Sequence, residues 1–133
     1  MRPLRILVVD DEQSVCDLLR ETLAAQGHLV DTETSGALAL ERTEHRNYDV
    51  VFLDIKMPGL NGAETLKRMR QRLPGAEFIM ITGYAASELV DESLSYGAFV
   101  CLSKPFSLSQ VAEMMEDLGR DQESEAKLEI RSR

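Results

Sequence analysis

The chain has 133 residues, of which 44% are hydrophobic and 29% are charged, and its formal net charge is −8. This length allows one domain with a sizeable core and is too short for two. The acidic balance argues against direct binding to nucleic acid, which requires a basic surface. The sequence has no apolar run as long as a membrane span, and residues 1–12 lack the pattern of a signal peptide. We therefore expect a cytoplasmic protein that does not enter membranes.

The cysteines and histidines give no sign of a soft-metal or redox site. Cys16 and Cys101 lie far apart in the sequence and show neither metal-binding nor redox spacing. They are interpreted as reduced core thiols, as is usual in the cytoplasm. His28 and His45 lie outside any metal-ligand pattern, so surface or structural roles are favoured for both.

The first part of the chain alternates short apolar runs with an amphipathic stretch. Residues 5–9, RILVV, predict a strand. Residues 12–26 predict a helix that stops at Gly27. Residues 29–33 predict a second, weaker strand. The predicted apolar face of the helix consists of Val15, Leu18, Leu19 and Leu23.

The middle of the chain repeats this alternation. Residues 36–46 predict a helix with one charged side, and residues 49–53, DVVFL, give the strongest prediction of a buried strand. Residues 62–73 predict the next helix, because apolar side chains recur there at helical spacing.

The last part adds two strands and two helices. Residues 77–81 and 99–102 predict strands, and residues 86–96 and 107–118 predict helices. The predicted domain therefore covers residues 1–118. The tail, residues 119–133, is about half charged with balanced signs, which favours disorder or a frayed helix over a helical extension that is cut short.

Five strands alternating with five helices predict an α/β fold with a parallel sheet covered on both faces. Because crossover connections are right-handed, few topologies remain. We expect a doubly wound five-stranded sheet of order 2-1-3-4-5. This order places the carboxyl ends of strands 1 and 3 side by side, at the switch point where such folds bind ligands.

Carboxylates follow both of these strands. Strand 1 is followed by Asp10 and Asp11, and strand 3 by Asp54. Taken singly, Asp10 with Gln13 is equally consistent with a capping box, and Asp54 with a turn before the Met-Pro-Gly segment. Neither alternative explains why two strand ends direct acids to one place. Clustered carboxylates raise one another's pKa, and a hard dication such as Mg²⁺ relieves this, so the sequence predicts a magnesium site.

Two further polar residues follow strands at the same edge of the sheet. Thr82 offers a hydroxyl after strand 4, and Gly83 leaves space beside it. Lys104 offers a positive charge after strand 5, as a phosphate group would require. Each residue alone is typical of an ordinary loop. The combination of acids, hydroxyl and ammonium, all after apolar strands, is what predicts a site.

These segments resemble a known family. The segments VVDDE, FLDIKMPGLNG, MITGYA and LSKPF have the residues and spacing of the receiver domain of two-component response regulators. The resemblance extends over residues 5–118 and implies a flavodoxin-like sheet of the predicted order. The segments DIKMPGLNG and MITGYA further resemble receivers of the nitrogen-regulatory, sigma-54-activator type.

The resemblance implies a role for each site residue. Asp54 would accept a phosphoryl group, and Mg²⁺ would be held by Asp54, by Asp11 directly, by Asp10 mainly through water, and by the backbone carbonyl of Lys56. The catalytic set would be completed by two residues that contact the phosphoryl oxygens, Thr82 and Lys104.

The resemblance also implies a signalling role rather than an enzyme acting on other substrates. The receiver would catalyse its own phosphorylation and slow dephosphorylation, and the surface of helix 4, strand 5 and helix 5 would change in response. Family members usually carry an aromatic residue three positions before the lysine, where this chain has Cys101. Phe99 points to the same strand face but lies too near the strand start for us to assign it that role. Lys56 and Tyr84 would tune the lifetime of the acyl phosphate.

The implied partners are a sensor histidine kinase or phosphotransfer protein, and an output partner or a missing output domain. A phosphorylation-dependent dimer is a further implied assembly. Its symmetric form through helices 4 and 5 is disfavoured, because Lys104 is the only basic residue between Ala85 and Leu118, whereas helix 3 is basic. A basic partner surface or a contact through helix 3 is favoured instead, and the alternative that these acids only form a solvated face stays open.

Two other functions are weighed against this one. A phosphatase with an aspartate nucleophile would need a second Asp where this chain has Lys56. A scaffold without chemistry would not need the complete set of acids, hydroxyl and lysine. A phosphate-binding glycine loop and a dinucleotide fingerprint are both missing from the sequence.

Overall fold

The computed structural model describes residues 3–83 and 88–131. Two compact units divide these residues, one ending at Lys104 and the other beginning at Pro105. Strands and helices alternate along the described chain. The strands are β1 (Arg5–Val9), β2 (Leu29–Glu33), β3 (Val50–Asp54), β4 (Glu77–Thr82) and β5 (Val100–Ser103). The helices are α1 (Gln13–Ala25), α2 (Gly36–Arg42), α3 (Gly62–Arg72), α4 (Glu88–Ser95) and α5 (Leu108–Arg131).

The five strands form one parallel sheet of order β2-β1-β3-β4-β5, which confirms the predicted fold class. In the register, Val9 of β1 faces Leu53 of β3, and Asp54 faces Ile81 of β4. The carboxyl ends of β1, β3 and β4 therefore meet at one edge, the edge that carries the predicted site.

The core lies on the central strands. Every residue of β3 is buried, and Phe52 and Phe78 are among the largest side chains that are fully enclosed. Continuous burial of this kind is expected for a parallel strand covered on both faces. The apolar run before Asp54 thus anchors that carboxylate on a rigid element.

The structure corrects the predicted core face of α1. Cys16, Leu19 and Leu23 are buried, whereas Leu18 is 43% exposed. Each helical residue turns about 100° from the one before, so the series 16, 19 and 23 faces the sheet and Leu18 lies to one side. The prediction of Leu18 as a core residue is wrong, and Cys16 takes its place.

The structure also shortens α2, which ends at Arg42 rather than at residue 46. Thr43 Oγ1 donates a hydrogen bond to the Leu40 carbonyl at 2.8 Å. The N–H groups of Glu44 and His45 then bond to carbonyls three residues earlier, so the chain tightens into a turn. His45 is exposed, in agreement with the surface role favoured for it.

The last helix, in the second unit, extends beyond its predicted end. Its start is capped, because Ser107 and Gln110 each accept a hydrogen bond from the other's N–H group. It continues as a helix to Arg131, so most of the charged tail at 119–133, where disorder or fraying was favoured, is helical.

The remaining cysteine and histidine predictions agree with the structure. Both cysteines are free thiols; Cys16 is buried and Cys101 is half-buried. His28 is buried, and its Nδ1 accepts a hydrogen bond from the Leu4 N–H at 3.0 Å. Burial lowers the pKa of His28, which keeps this structural imidazole neutral. None of the described helices is long and apolar enough to cross a bilayer.

Candidate functional site

Three carboxylates converge at the carboxyl edge of the sheet. Asp10, Asp11 and Asp54 each offer a carboxylate oxygen, and these oxygens all lie within 4.8 Å of one another. Asp10 and Asp54 are buried, whereas Asp11 is exposed. The sheet order brings together two segments of chain more than forty residues apart, as predicted from the switch point.

The capping alternative for Asp10 does not hold. The residue at the N-cap of α1 is Glu12, and Asp10 Oδ1 accepts a hydrogen bond from its N–H at 2.9 Å. The turn alternative for Asp54 holds in part, because Asp54 Oδ1 accepts a hydrogen bond from the Lys56 N–H at 3.3 Å. Asp54 thus orders the start of its own turn while its other oxygen faces the cluster.

Lys104 reaches the same cluster from the end of β5. The backbone N–H of Lys104 donates a hydrogen bond to the Thr82 carbonyl at 2.7 Å, which fixes the Lys104 backbone beside the end of β4. Its Nζ lies 3.0 Å from Asp10 Oδ2, 3.1 Å from Glu12 Oε1 and 3.5 Å from Asp54 Oδ2. One ammonium group therefore contacts three carboxylates, so the cluster carries an excess of negative charge.

This excess changes the protonation behaviour of the buried groups. Burial, together with the negative charge of Asp10, raises the pKa of Asp54 to about 7, although Lys104 opposes the shift. Burial also raises the pKa of Asp10, against the hydrogen bond from Glu12 and the charge of Lys104. Burial alone would lower the pKa of Lys104, but its carboxylate partners outweigh burial and raise it.

One buried oxygen is poorly satisfied by the protein. Asp10 Oδ2 is close to Lys104 Nζ, yet the direction of this contact is not that of a hydrogen bond. Among the described side chains, it is the buried oxygen that lacks a hydrogen-bond partner. A buried acceptor without a donor is costly, and a cation bound there would satisfy it. The hard oxygen ligands present fit a magnesium ion.

The cluster opens into a cavity of about 250 Å³. Its lining consists of Asp11, Glu12, Asp54, Lys56, Gly83 and Lys104. Larger cavities, up to about 500 Å³, occur near Arg5 and Tyr48 at the opposite edge of the sheet. Chemistry rather than size therefore identifies the site, because Asp54, whose pKa is raised to about 7, lines the smaller cavity.

Thr82 does not line this cavity. It ends β4, one position after the partner of Asp54, and it is buried. Gly83 lines the cavity instead, which agrees with the prediction that it leaves space there. Lys56 also lines the cavity, and the role of its carbonyl as a metal ligand stays a prediction. Tyr84, predicted to flank the crevice, lies outside the described residues.

Sequence reasoning did not identify Gly62 as part of the site. Gly62 begins α3, and its N–H donates to the Ile55 carbonyl at 2.7 Å. A Cβ at this position would overlap the Asp54 carbonyl and lie 2.6 Å from the Ile55 Cα. The helix start thus packs directly against the backbone that carries Asp54. The Asn-Gly pair was the available signal, since Asn61 is the N-cap and accepts from the Glu64 N–H.

Cys101 occupies the position where the family pattern has an aromatic residue. It is paired with Met80 of β4 in the sheet and is half-buried against the main apolar cluster. Phe99 lies one residue before β5 and donates its N–H to the Phe78 carbonyl at 2.8 Å. Strand β5 is therefore regular, even though Cys101 stands where family members usually carry an aromatic residue.

Comparison with known proteins agrees with this geometry. The sequence matches the response regulator receiver domain family over residues 6–116. The chain belongs to this family. The receiver is 31% identical to sporulation initiation phosphotransferase F of Bacillus subtilis. The aligned region covers 84% of this chain and 90% of that protein. Its structure is similar to that of a CheY-like response regulator receiver domain protein from Methanospirillum hungatei, with a TM-score of 0.88 and 31% sequence identity. The superposition covers 93% of this chain and 99% of the other.

Other relatives are longer proteins. The receiver is 35% identical, over 88% of its length, to the transcriptional regulatory protein TcrA of Mycobacterium tuberculosis, and it spans 46% of that protein. The predicted similarity to nitrogen-regulatory receivers is supported by a match to NtrC of Escherichia coli, which is 33% identical over 84% of this chain. The receiver spans 24% of NtrC.

Proposed function

We propose that this receiver accepts a phosphoryl group on Asp54 from the phosphohistidine of a sensor histidine kinase or a phosphotransfer protein. The observation that supports this most directly is the convergence of Asp10, Asp11, Asp54 and Lys104 at the end of the sheet. Asp54 is buried at the end of a rigid strand, yet it lines an open cavity. It is therefore both fixed in position and accessible to a donor.

The residues that would hold Mg²⁺ are Asp10, Asp11, Asp54 and the backbone carbonyl of Lys56. The three carboxylates supply the hard oxygen ligands that Mg²⁺ prefers, and the unsatisfied Asp10 oxygen supports the assignment. When bound, the metal would neutralise negative charge that develops on the phosphoryl oxygens.

Asp54 would act as the nucleophile. A carboxylate oxygen forms a bond to phosphorus while the P–N bond of the phosphohistidine breaks, and the electron pair of that bond stays on the imidazole nitrogen. Such transfer depends on alignment and charge neutralisation more than on covalent assistance. Alignment is provided by the buried strand β3 and by the contact of Gly62 with the Asp54 backbone.

Lys104 would neutralise one phosphoryl oxygen. Its Nζ already lies 3.5 Å from Asp54 Oδ2, and its raised pKa keeps it positively charged. Thr82 would donate its hydroxyl to another phosphoryl oxygen from the adjoining strand end. Movement of Thr82 would be transmitted to α4 and β5, with α5 as the third element of the responding surface.

The direct test is incubation of the protein with Mg²⁺ and a small phosphodonor such as acetyl phosphate, followed by intact-mass analysis. We expect one phosphoryl group on the wild-type protein and none on Asp54→Asn. Asp17→Asn serves as the matched control, because Asp17 is a half-exposed aspartate that is paired with Arg20 on α1, away from the site. Equal labelling of Asp54→Asn and the wild type would contradict the proposal.

A further inference from the structure

Lys104 divides its contacts unequally among its acidic neighbours. Nζ donates a hydrogen bond to Glu12 Oε1 at 3.1 Å and lies 3.0 Å from Asp10 Oδ2, whereas Asp54 Oδ2 is farther away, at 3.5 Å. The ammonium that would meet a phosphoryl group on Asp54 is therefore held on the Asp10 and Glu12 side of the crevice.

Glu12 is placed for this contact by its backbone. Its N–H donates to Asp10 Oδ1, and its carbonyl accepts from the N–H groups of Val15 and Cys16. Although Glu12 is the N-cap residue of α1, its side chain makes no capping hydrogen bond. The side chain instead crosses the mouth of the crevice to a lysine 92 positions later in the sequence.

Glu12 differs from the other acidic neighbours of Lys104. Asp10 and Asp54 are buried and belong to the group of carboxylates that could hold a metal. Glu12 is outside that group, and its side chain is 59% exposed. Once a cation engages oxygens of Asp10 and Asp54, Glu12 remains as the carboxylate that retains Lys104.

We propose that Glu12 is a positioning residue that competes with the incoming phosphoryl group for Lys104 and so slows phosphorylation of Asp54. The inference rests on the proposed function. It involves no covalent change at Glu12, because the Lys104 ammonium exchanges one oxygen acceptor for another. Exposed ion pairs contribute little, so the expected effect on the rate is about two- to fivefold.

The contact can be tested without phosphorylation. In metal-free protein, the side-chain Cε–Hε NMR signal of Lys104, assigned by its loss in Lys104→Arg, should shift in Glu12→Gln. Glu21→Gln is the matched control, since it removes the same charge from an exposed position on the same helix. A Lys104 signal that is identical in the wild type and Glu12→Gln would overturn the inference.

The functional test is the single-turnover rate of labelling by acetyl phosphate with Mg²⁺. We expect Glu12→Gln to react about two- to fivefold faster than the wild type and Glu21→Gln to react at the wild-type rate. In a Lys104→Met background, Glu12→Gln should cause no further acceleration. Equal acceleration with and without Lys104 would mean that the charge of Glu12 acts on the donor directly, and would overturn the positioning role.

These outcomes separate the inference from the function on which it rests. If the wild-type protein is not labelled at Asp54, the proposed function fails and the inference fails with it. If the wild type is labelled but Glu12→Gln reacts no faster than Glu21→Gln, the inference alone is overturned.

Discussion

Asp54 and Asp31 are carboxylates on the same sheet with opposite environments. Asp31 of β2 accepts hydrogen bonds from Tyr48 Oη at 2.7 Å and from Arg46 at 3.1 Å, and Arg42 lies 3.5 Å away. Burial tends to raise the pKa of Asp31, but these donors outweigh burial and lower it. At Asp54 burial and neighbouring acids prevail, and the pKa rises to about 7.

The difference separates a structural ion-pair network from a site prepared for a ligand. Around Asp31, two arginines and a phenol meet two acids, Asp31 and Glu33, so the charges are balanced within the protein. Around Asp54, a single lysine meets several acids, and further positive charge must come from outside. This contrast should be measurable in the free energy of unfolding when individual carboxylates are replaced.

The largest expected effect is stabilisation of the metal-free protein by Asp54→Asn. The ordinary pKa of 3.8 applies to the unfolded chain, and the folded value is about 7. The folded state therefore binds more protons between these values, and its stability falls as the pH rises through this window. At pH 8 the substitution should add on the order of 2–4 kcal/mol to the free energy of unfolding.

Denaturant unfolding of both proteins in EDTA checks this prediction. The difference between them should shrink as the pH is lowered towards 4, where Asp54 is protonated in the folded wild type. An Asp54→Asn protein that is less stable than the wild type at pH 8 would contradict the account.

The second prediction concerns Mg²⁺, which should stabilise the wild-type protein because it binds the folded state. At a concentration about 100 times its dissociation constant, the expected gain is about 2.7 kcal/mol. Thermal melts with and without Mg²⁺ measure it, with Asp31→Asn as a control that should keep the full gain. A wild-type protein whose melting temperature does not respond to Mg²⁺ would contradict the metal assignment.

The third prediction is that Asp31→Asn destabilises the protein, opposite in sign to Asp54→Asn. The side chain is about one-third exposed, so the expected loss is about 1 kcal/mol. Since the folded pKa lies below the ordinary value, this stability is present at neutral pH and is lost as the pH falls through the folded pKa. Urea unfolding of the wild type and Asp31→Asn at pH 7 and in acid measures this loss of stability. An Asp31→Asn protein that is more stable than the wild type at pH 7 would contradict the proposed difference between Asp31 and Asp54.

The smallest expected effect is that of Asp11→Ala in metal-free protein. Removing this carboxylate should relieve repulsion, but Asp11 is exposed, so the gain should be about 0.5 kcal/mol. The same urea series in EDTA provides the measurement. A gain equal to that of Asp54→Asn would show that burial is not the main cause of the unfavourable charge.

Much of the fold and of the site could be predicted from the sequence. The strand order followed from the alternation of buried strands with helices, and the approach of Asp10 to Asp54 followed from that order. The exposed position of Leu18 and the early end of α2 could not be predicted, because they depend on helix rotation and local hydrogen bonds.

Two features of the site depend on tertiary contacts that no local pattern encodes. The contact between Gly62 and the Asp54 backbone requires the helix start to pack on the strand end. The hydrogen bond from Lys104 to Glu12 joins residues that are distant in sequence. The sequence places Glu12 directly after the two aspartates, but only the folded structure identifies Lys104 as its partner.

Mapping of the phosphorylated residue would decide whether Asp54 is the phosphoacceptor. Protein treated with Mg²⁺ and acetyl phosphate would be reduced with borohydride, digested, and examined by tandem mass spectrometry. We expect the modified aspartate to be Asp54, and we expect Asp10, Asp11 and Asp31 to be unmodified. A phosphoryl group found reproducibly on a different residue, with Asp54 unmodified, would contradict this expectation.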